Sequence, residues 1–193
     1  MFGVYLDSLW RRSLKIEYTI REIEKDDLVF DKFKDYERYQ LTTQKVKYED
    51  GLMKTEKIHF INEWDANKLK SLVDELRDDL YMDSYLVGAF YEDKVIAFAS
   101  IRNKFFGSEK QYLQMPNIHV SRQYRGKGIG KKLFAMCVKA ANKMGAKRIY
   151  ISTHPAIETQ RFYESVGCQL ASEINQELKK LEPHDIQLEY KIK

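Results

Sequence analysis

The sequence predicts a mixed α/β fold in one domain, on three grounds. Short segments with apolar residues at every second position are interleaved with longer ones at helical spacing. The 193 residues suffice for one domain with a substantial core. No repeat, low-complexity tract or Pro/Gly/Ser-rich linker divides them. This order of elements places crossover helices on the faces of a sheet.

Residues 17–23 (EYTIREI) alternate well enough for a strand. In EKDDLVFDKFKDYERY, which follows, Leu28, Val29, Phe33 and Tyr36 recur at helical spacing and predict a helix. TTQKVKYEDGLMKTEKIHFI is two alternating runs joined at Asp50-Gly51, a strong hairpin-turn pair. Asp65 has the place of an N-cap, before a helix with Leu69, Leu72, Val73, Leu76 and Leu80 on one face. SYLVGAFYEDKVIAFASIR reads as two strands turning at Glu92-Asp93, apolar enough to be covered on both faces. QYLQMPNIHV is another strand, but Pro116 cannot donate a ladder hydrogen bond, which predicts a bulge or break. A helix then carries Ile129, Leu133, Met136, Cys137, Ala140 and Met144 on its buried stripe and ends at Gly145. KRIYIST is a strand, AIETQRFYESV a helix ended by Gly167, and DIQLEYKI a last strand.

Composition narrows the function classes. Thirteen tyrosines and ten phenylalanines argue against disorder. A net charge of +4, with both signs mixed along the chain, is too weak to imply nucleic acid. Cys137 and Cys168 lack metal-type spacing and read as reduced thiols, and four scattered histidines offer no metal set. The N-terminus has no apolar stretch of signal-peptide length, and nothing approaches a membrane span of ~20 residues. The expectation is a soluble, cytoplasmic protein without membrane partners.

The chemistry concentrates in RQYRGKGIGKKL, residues 122–133, between a strand and a helix. Glycines there permit tight curvature and close approach of a ligand to the main chain. Free N–H groups and the positive end of a helix dipole favour an anion, and Arg125, Lys127, Lys131 and Lys132 add charge. A diphosphate suits such a place; a solvated glycine turn is the plain alternative. Gly126, Gly128 and Gly130 are spaced wrongly for a dinucleotide fingerprint, which needs a sixth-place glycine where Lys131 stands. They also miss the Walker spacing, and Lys132 stands where the Mg²⁺-binding hydroxyl belongs.

The stretch does match Gln/Arg-x-x-Gly-x-Gly/Ala, once from Gln123 and again from Arg125. On this motif the chain resembles the GNAT superfamily of N-acetyltransferases, most strongly between about Ser84 and Cys168. RFYESVGC resembles that superfamily's second signature. The resemblance implies an α/β (α+β) domain with a mixed, mostly antiparallel central sheet flanked by helices, its central strands splayed. That domain would span 17–193, after an N-terminal extension of residues 1–16 and with a hairpin insertion at about 41–61. It implies acetyl-CoA as acetyl donor, with its pyrophosphate on the amides of Gly126, Lys127, Gly128, Ile129, Gly130 and Lys131 and Arg125 adding charge beside them. The pantetheine arm would lie along the backbone of Ile118, His119 and Val120. Tyr163 matches the tyrosine that protonates the departing thiolate, after direct attack of a primary amine on the thioester.

Two departures leave alternatives open. Ala156 stands where many members carry asparagine, with Thr153 or Thr159 as substitutes. No ionised side chain occupies 112–115, so the base is His154, His119, or water with no single base. A non-catalytic module that senses acetyl-CoA or binds an anionic partner is the alternative function, and polyanion binding through residues 122–132 a third. The acceptor is open between a small-molecule and a peptide amine, and the hairpin is a candidate dimer or lid element.

Overall fold

The computed structural model describes residues 17–49 and 52–193. The expected extension at 1–16 and the Asp50-Gly51 turn lie outside the described residues.

The chain begins with β1 (Thr19–Glu22). The helix expected next is broken into a 3-10 turn at Lys25–Asp27 and one short helix, α1 (Phe30–Phe33). The buried Asp27 carboxylate causes the break: it accepts from the Glu24 N–H, from Arg21 and from Lys32, which fixes a turn there. Leu28, Phe33 and Tyr36 are buried as expected, but Val29 is exposed. Strands β2 (Tyr39–Glu49) and β3 (Leu52–Glu63) form the expected hairpin. Helix α2 (Ala66–Tyr81) starts at Asp65, whose side chain accepts from the Lys68 N–H at 2.8 Å. Its leucine face meets Phe33 and Phe98 in one of two core clusters.

Strands β4 (Tyr85–Tyr91) and β5 (Lys94–Ile101) turn through Glu92 and Asp93, both at positive φ, the hand a tight hairpin requires. They are buried on both faces. Leu86, Phe90 and Phe98 face α2, while Val87, Ala89, Ala97 and Ala99 face the larger cluster. That cluster lies under α3 (Ile129–Lys143), which contributes Ile129, Leu133, Phe134, Cys137 and Ala141. Between β5 and α3 the chain forms β6 (Tyr112–Gln114) and β7 (Asn117–Val120). After α3 come β8 (Arg148–Thr153), α4 (Ile157–Ser165), β9 (Gln169–Leu170), α5 (Gln176–Leu181) and β10 (Ile186–Lys191). Neither β9 nor α5 was expected, both being too short to show a period.

Two four-stranded ladders result, β1-β4-β5-β7 and β6-β8-β10-β9. Every pairing is antiparallel except β6 with β8. The chain passes from one ladder to the other at Met115-Pro116, where the expected irregularity is found. Ser100 pairs with Asn117, but the Arg102 N–H bonds to Gln114 O at 2.9 Å. Two steps along β5 thus face three along its partner, a one-residue bulge. Among the described residues, the β6–β8 ladder closes with the Met115 N–H on Tyr150 O at 2.9 Å, and beyond it β7 pairs with β5 alone.

The second ladder is held by a charge that has no contact with water. Glu189 on β10 accepts from Arg148, the Tyr112 hydroxyl, the Ser172 N–H and Gln169. Burial pushes its carboxyl up, but these donors outweigh burial and hold it at about 2. Its contribution is complete above the ordinary value of 4.5 and disappears as pH falls through about 2. Glu189→Leu should therefore cost about 3 kcal/mol in urea unfolding at neutral pH. The gap to wild type should narrow as pH falls from 4.5 toward 2; a gap independent of pH would disprove the network's role.

Candidate active site

Past Met115 the two arms diverge, and among the described residues one edge of β7 is left without a strand partner. The Ser121 N–H donates to Ile96 O at 2.9 Å. In an antiparallel ladder such pairs alternate, so the His119 and Asn117 peptide groups also point to β5. Those of Ile118 and Val120 turn the other way, into the gap facing β8. Of the three backbones expected along this gap, His119 is therefore the exception, its main chain being spent on β5. Its side chain turns away from α3 and packs against Trp64 (4.9 Å between ring centres) and Phe98 (5.4 Å).

At one end of the gap is the glycine stretch. Gly126 (φ 74°) and Gly128 (φ 77°) are left-handed, a conformation that strains other residues. Among the described residues, the resulting curl leaves six consecutive N–H groups, from residue 126 to 131, without a backbone acceptor; the first helical bond is Lys132 N–H to Gly128 O. Among the described residues, a Cβ at Gly126 or Gly128 would meet nothing within 4 Å, so these two glycines serve the left-handed backbone rather than close packing. Gly130 differs. A Cβ there would lie 3.2 Å from Phe162, so this glycine lets α3 and α4 approach. Arg125 also departs from expectation: its guanidinium donates to Val120 O (2.9 Å) and Tyr39 O (2.7 Å) and ties β7 to β2. Lys132 reaches Tyr18, and Lys127 lies over the Tyr124 ring.

The β8–α4 connection forms the opposite lip. Tyr163 is buried in the core beside Thr153; burial pushes its phenol well up, which makes it a proton donor rather than an acceptor. The His154 ring stacks on Phe60 (5.3 Å), and its Nδ1 accepts from the Ala156 N–H at 3.1 Å. A neutral His154 so bonded carries its proton on Nε2 and has no lone pair to offer there, which weakens it as a base. Ala156 is buried against β2; of the two substitute threonines, Thr159 accepts from Gln40 at 3.3 Å, and Thr153 lies within hydrogen-bond reach of the Tyr163 phenol.

Four residues escaped sequence reading as members of the site, Tyr36 having been read there as a helix residue. Arg38 and Trp64 flank the β2–β3 hairpin, far apart in the chain, and meet because the Trp64 N–H bonds Arg38 O at 3.1 Å. Tyr36 stacks on Trp64. Asp185, which accepts from the Ser152 hydroxyl, is pushed up to about 6 by burial and by Glu182. No local pattern announces any of them.

Gap, curl and buried phenol together lie in one α/β domain, with the glycine curl at the mouth of a split sheet. Its family follows from comparison: the Acetyltransferase (GNAT) family model matches residues 50–168, and the chain belongs to that family. An Escherichia coli K12 protein described as an uncharacterized N-acetyltransferase, YjgM, is 31% identical over 109 residues, 53% of this chain. The match spans 64% of that relative's length. Among solved structures, a nourseothricin acetyltransferase superposes with a TM-score of 0.66 at 13% identity, covering 91% of this chain and 99% of that one. The PaiA N-acetyltransferase of Thermoplasma acidophilum, in complex with coenzyme A, gives 0.57 at 15%, with coverages of 91% and 99%. The E. coli GNAT N-acetyltransferase YhbS, in complex with CoA, gives 0.56 at 16%, with coverages of 92% and 83%. These three likenesses concern the fold. No helix among the described residues is long and apolar enough to cross a membrane.

The His119 ring gives a direct check on the site's electrostatics. Burial first, then the charges of Arg38 and Arg125, lower its pKa from 6.5 to about 3. The unfolded chain therefore binds this proton more readily than the folded one, and stability should decline as pH falls from 6.5 toward 3. NMR of the folded protein should show His119 neutral at pH 5; a ring titrating near 6.5 would contradict the enclosure described.

Proposed function

We propose that the chain is an acetyl-CoA-dependent N-acetyltransferase that acetylates a primary amine by direct transfer. The observation that carries this is the run of unpaired N–H groups from 126 to 131 opening onto the gap beside Ile118 and Val120. Six donors and the positive end of α3 suit a diphosphate. The unpaired peptide groups of the gap suit an amide-bearing arm that pairs like a strand. Coenzyme A has both parts, and the two relatives crystallised with it share this fold.

Bound there, acetyl-CoA supplies an acetyl group already activated as a thioester. The chain's own contribution is positioning and proton control. The Val120 N–H, turned into the gap, donates to the carbonyl oxygen as negative charge develops on it. Tyr163, which keeps its proton at neutral pH, gives it to the departing sulfur. Water at the open side takes the amine's proton, since the His119 ring packs against Trp64 and Phe98 and His154 has its Nδ1 engaged. The β2–β3 hairpin, docked on the β8–α4 link through Val46 N–H to Pro155 O (2.8 Å), walls the acceptor side.

The test is release of free thiol from acetyl-CoA in the presence of an amine panel, with calorimetry of acetyl-CoA binding alongside. Binding with amine-dependent thiol release is expected; binding without release would make the chain a sensor. Tyr163→Phe should lower kcat about a hundredfold and leave the Kd for acetyl-CoA unchanged. Unchanged turnover would remove Tyr163 from the reaction.

A further inference from the structure

The gap has two faces. Ile118 and Val120 pack toward α3, on the side of the glycine curl and Tyr163. His119 points to the opposite face, and there the electrostatics are unusual. Arg38 lies at that face with its guanidinium over Trp64 (5.6 Å). Nη2 donates to Gln40 at 3.0 Å, but Nε and Nη1 are removed from solvent and meet no acceptor among the described residues. The Tyr36 hydroxyl beside them is likewise buried and unpartnered. Arg125 adds a second cation that bonds only neutral carbonyls. Among the described residues, neither arginine forms an ion pair.

The charge of Arg38 reaches His119 on one arm and His154 at the end of the other. Trp64, 5.6 Å from the guanidinium and 4.9 Å from the His119 ring, places Arg38 on the His119 face of β7. A buried guanidinium with open donors costs several kcal/mol unless an anion meets it. Elsewhere in the chain buried charges are met: Asp27 by Arg21 and Lys32, Glu189 by Arg148. At the acceptor face no carboxylate among the described residues meets Arg38.

We infer that the acceptor is an amine that also carries a carboxylate, an amino-acid-like molecule, and that Arg38 with the Tyr36 hydroxyl holds that carboxylate while the amine faces the gap. This rests on the N-acetyltransferase reading above. Guanidinium and carboxylate match in charge and planar geometry. The same pair of cations disfavours a polyamine or another polycationic acceptor. Gln40 and Trp64, which touch the guanidinium, are the side chains that must shift to admit the carboxylate.

The experiment uses matched probes: phenylalanine against phenethylamine and γ-aminobutyrate against butylamine. Each is measured by thiol release and, separately, by calorimetry without acetyl-CoA. The wild type should favour the carboxylate-bearing member of at least one pair by tenfold to a hundredfold, roughly the worth of a charge-assisted hydrogen bond. Arg38→Met should abolish that preference, leave acetyl-CoA binding intact, and melt no lower than wild type, because it removes a buried charge without a partner. Arg38→Lys should keep a reduced preference. Equal or better use of the plain amines by wild type, or a preference that survives in Arg38→Met, overturns the inference. Carboxylate binding that depends on Arg38 in a chain that fails to bind acetyl-CoA would support this site and refute the transferase reading, so the two fail separately.

Discussion

A parallel ladder that runs out of partners at Met115 governs the architecture of this protein. Up to that residue β6 is zipped to β8 through the Met115–Tyr150 bond. One residue later Pro116 and the extra residue of the bulge hand the strand over to β5. The sheet then divides, and its two halves can no longer satisfy each other's peptide groups. Buried backbone is normally paired. A gap in the middle of a sheet, with the Ile118 and Val120 N–H groups unpaired among the described residues, is therefore the place proposed for another chain-like molecule to complete the ladder. Rigid packing on both sides keeps it open: Ala97, Ala99 and Leu133 below, Phe98 and Leu76 above.

Charge is distributed around that gap in a consistent way. Far from it, buried carboxylates are met by arginine or lysine, and these networks stiffen the outer strands. Around it, positive groups stand without carboxylates: amide N–H groups and the α3 dipole at one end, Arg38 and Arg125 on the far face. One anion is thus proposed at the glycine curl and a second on the His119 face, with neutral hydrogen-bonding groups between them. Proton transfer is assigned to a phenol that burial keeps protonated rather than to a histidine.

Much of this was legible because local chemistry carries it. The Asp65 cap, the Glu92-Asp93 turn, the Pro116 irregularity and the glycine curl each depend on residues within a few positions of one another. What was not legible depends on distant partners. The helix expected around Leu28 fails because Asp27 is claimed by Arg21 and Lys32. Arg125 looks like a phosphate ligand in sequence, yet Tyr39 O claims it. Gly130 belongs to the same motif as Gly126 and Gly128, yet its missing side chain serves Phe162. The Arg38–Trp64 pair has no sequence signal, since a hairpin of unpredictable docking brings the two together.

The central claim, that Ile118 and Val120 present unpaired amides to a ligand, is open to residue-resolved hydrogen exchange with and without coenzyme A. In the free protein, exchange at Ile118 and Val120 should be much faster than at His119 between them. Coenzyme A should slow those two together with residues 126–131. Equal protection of all three strand amides in the free protein, or no change on adding coenzyme A, would contradict the account.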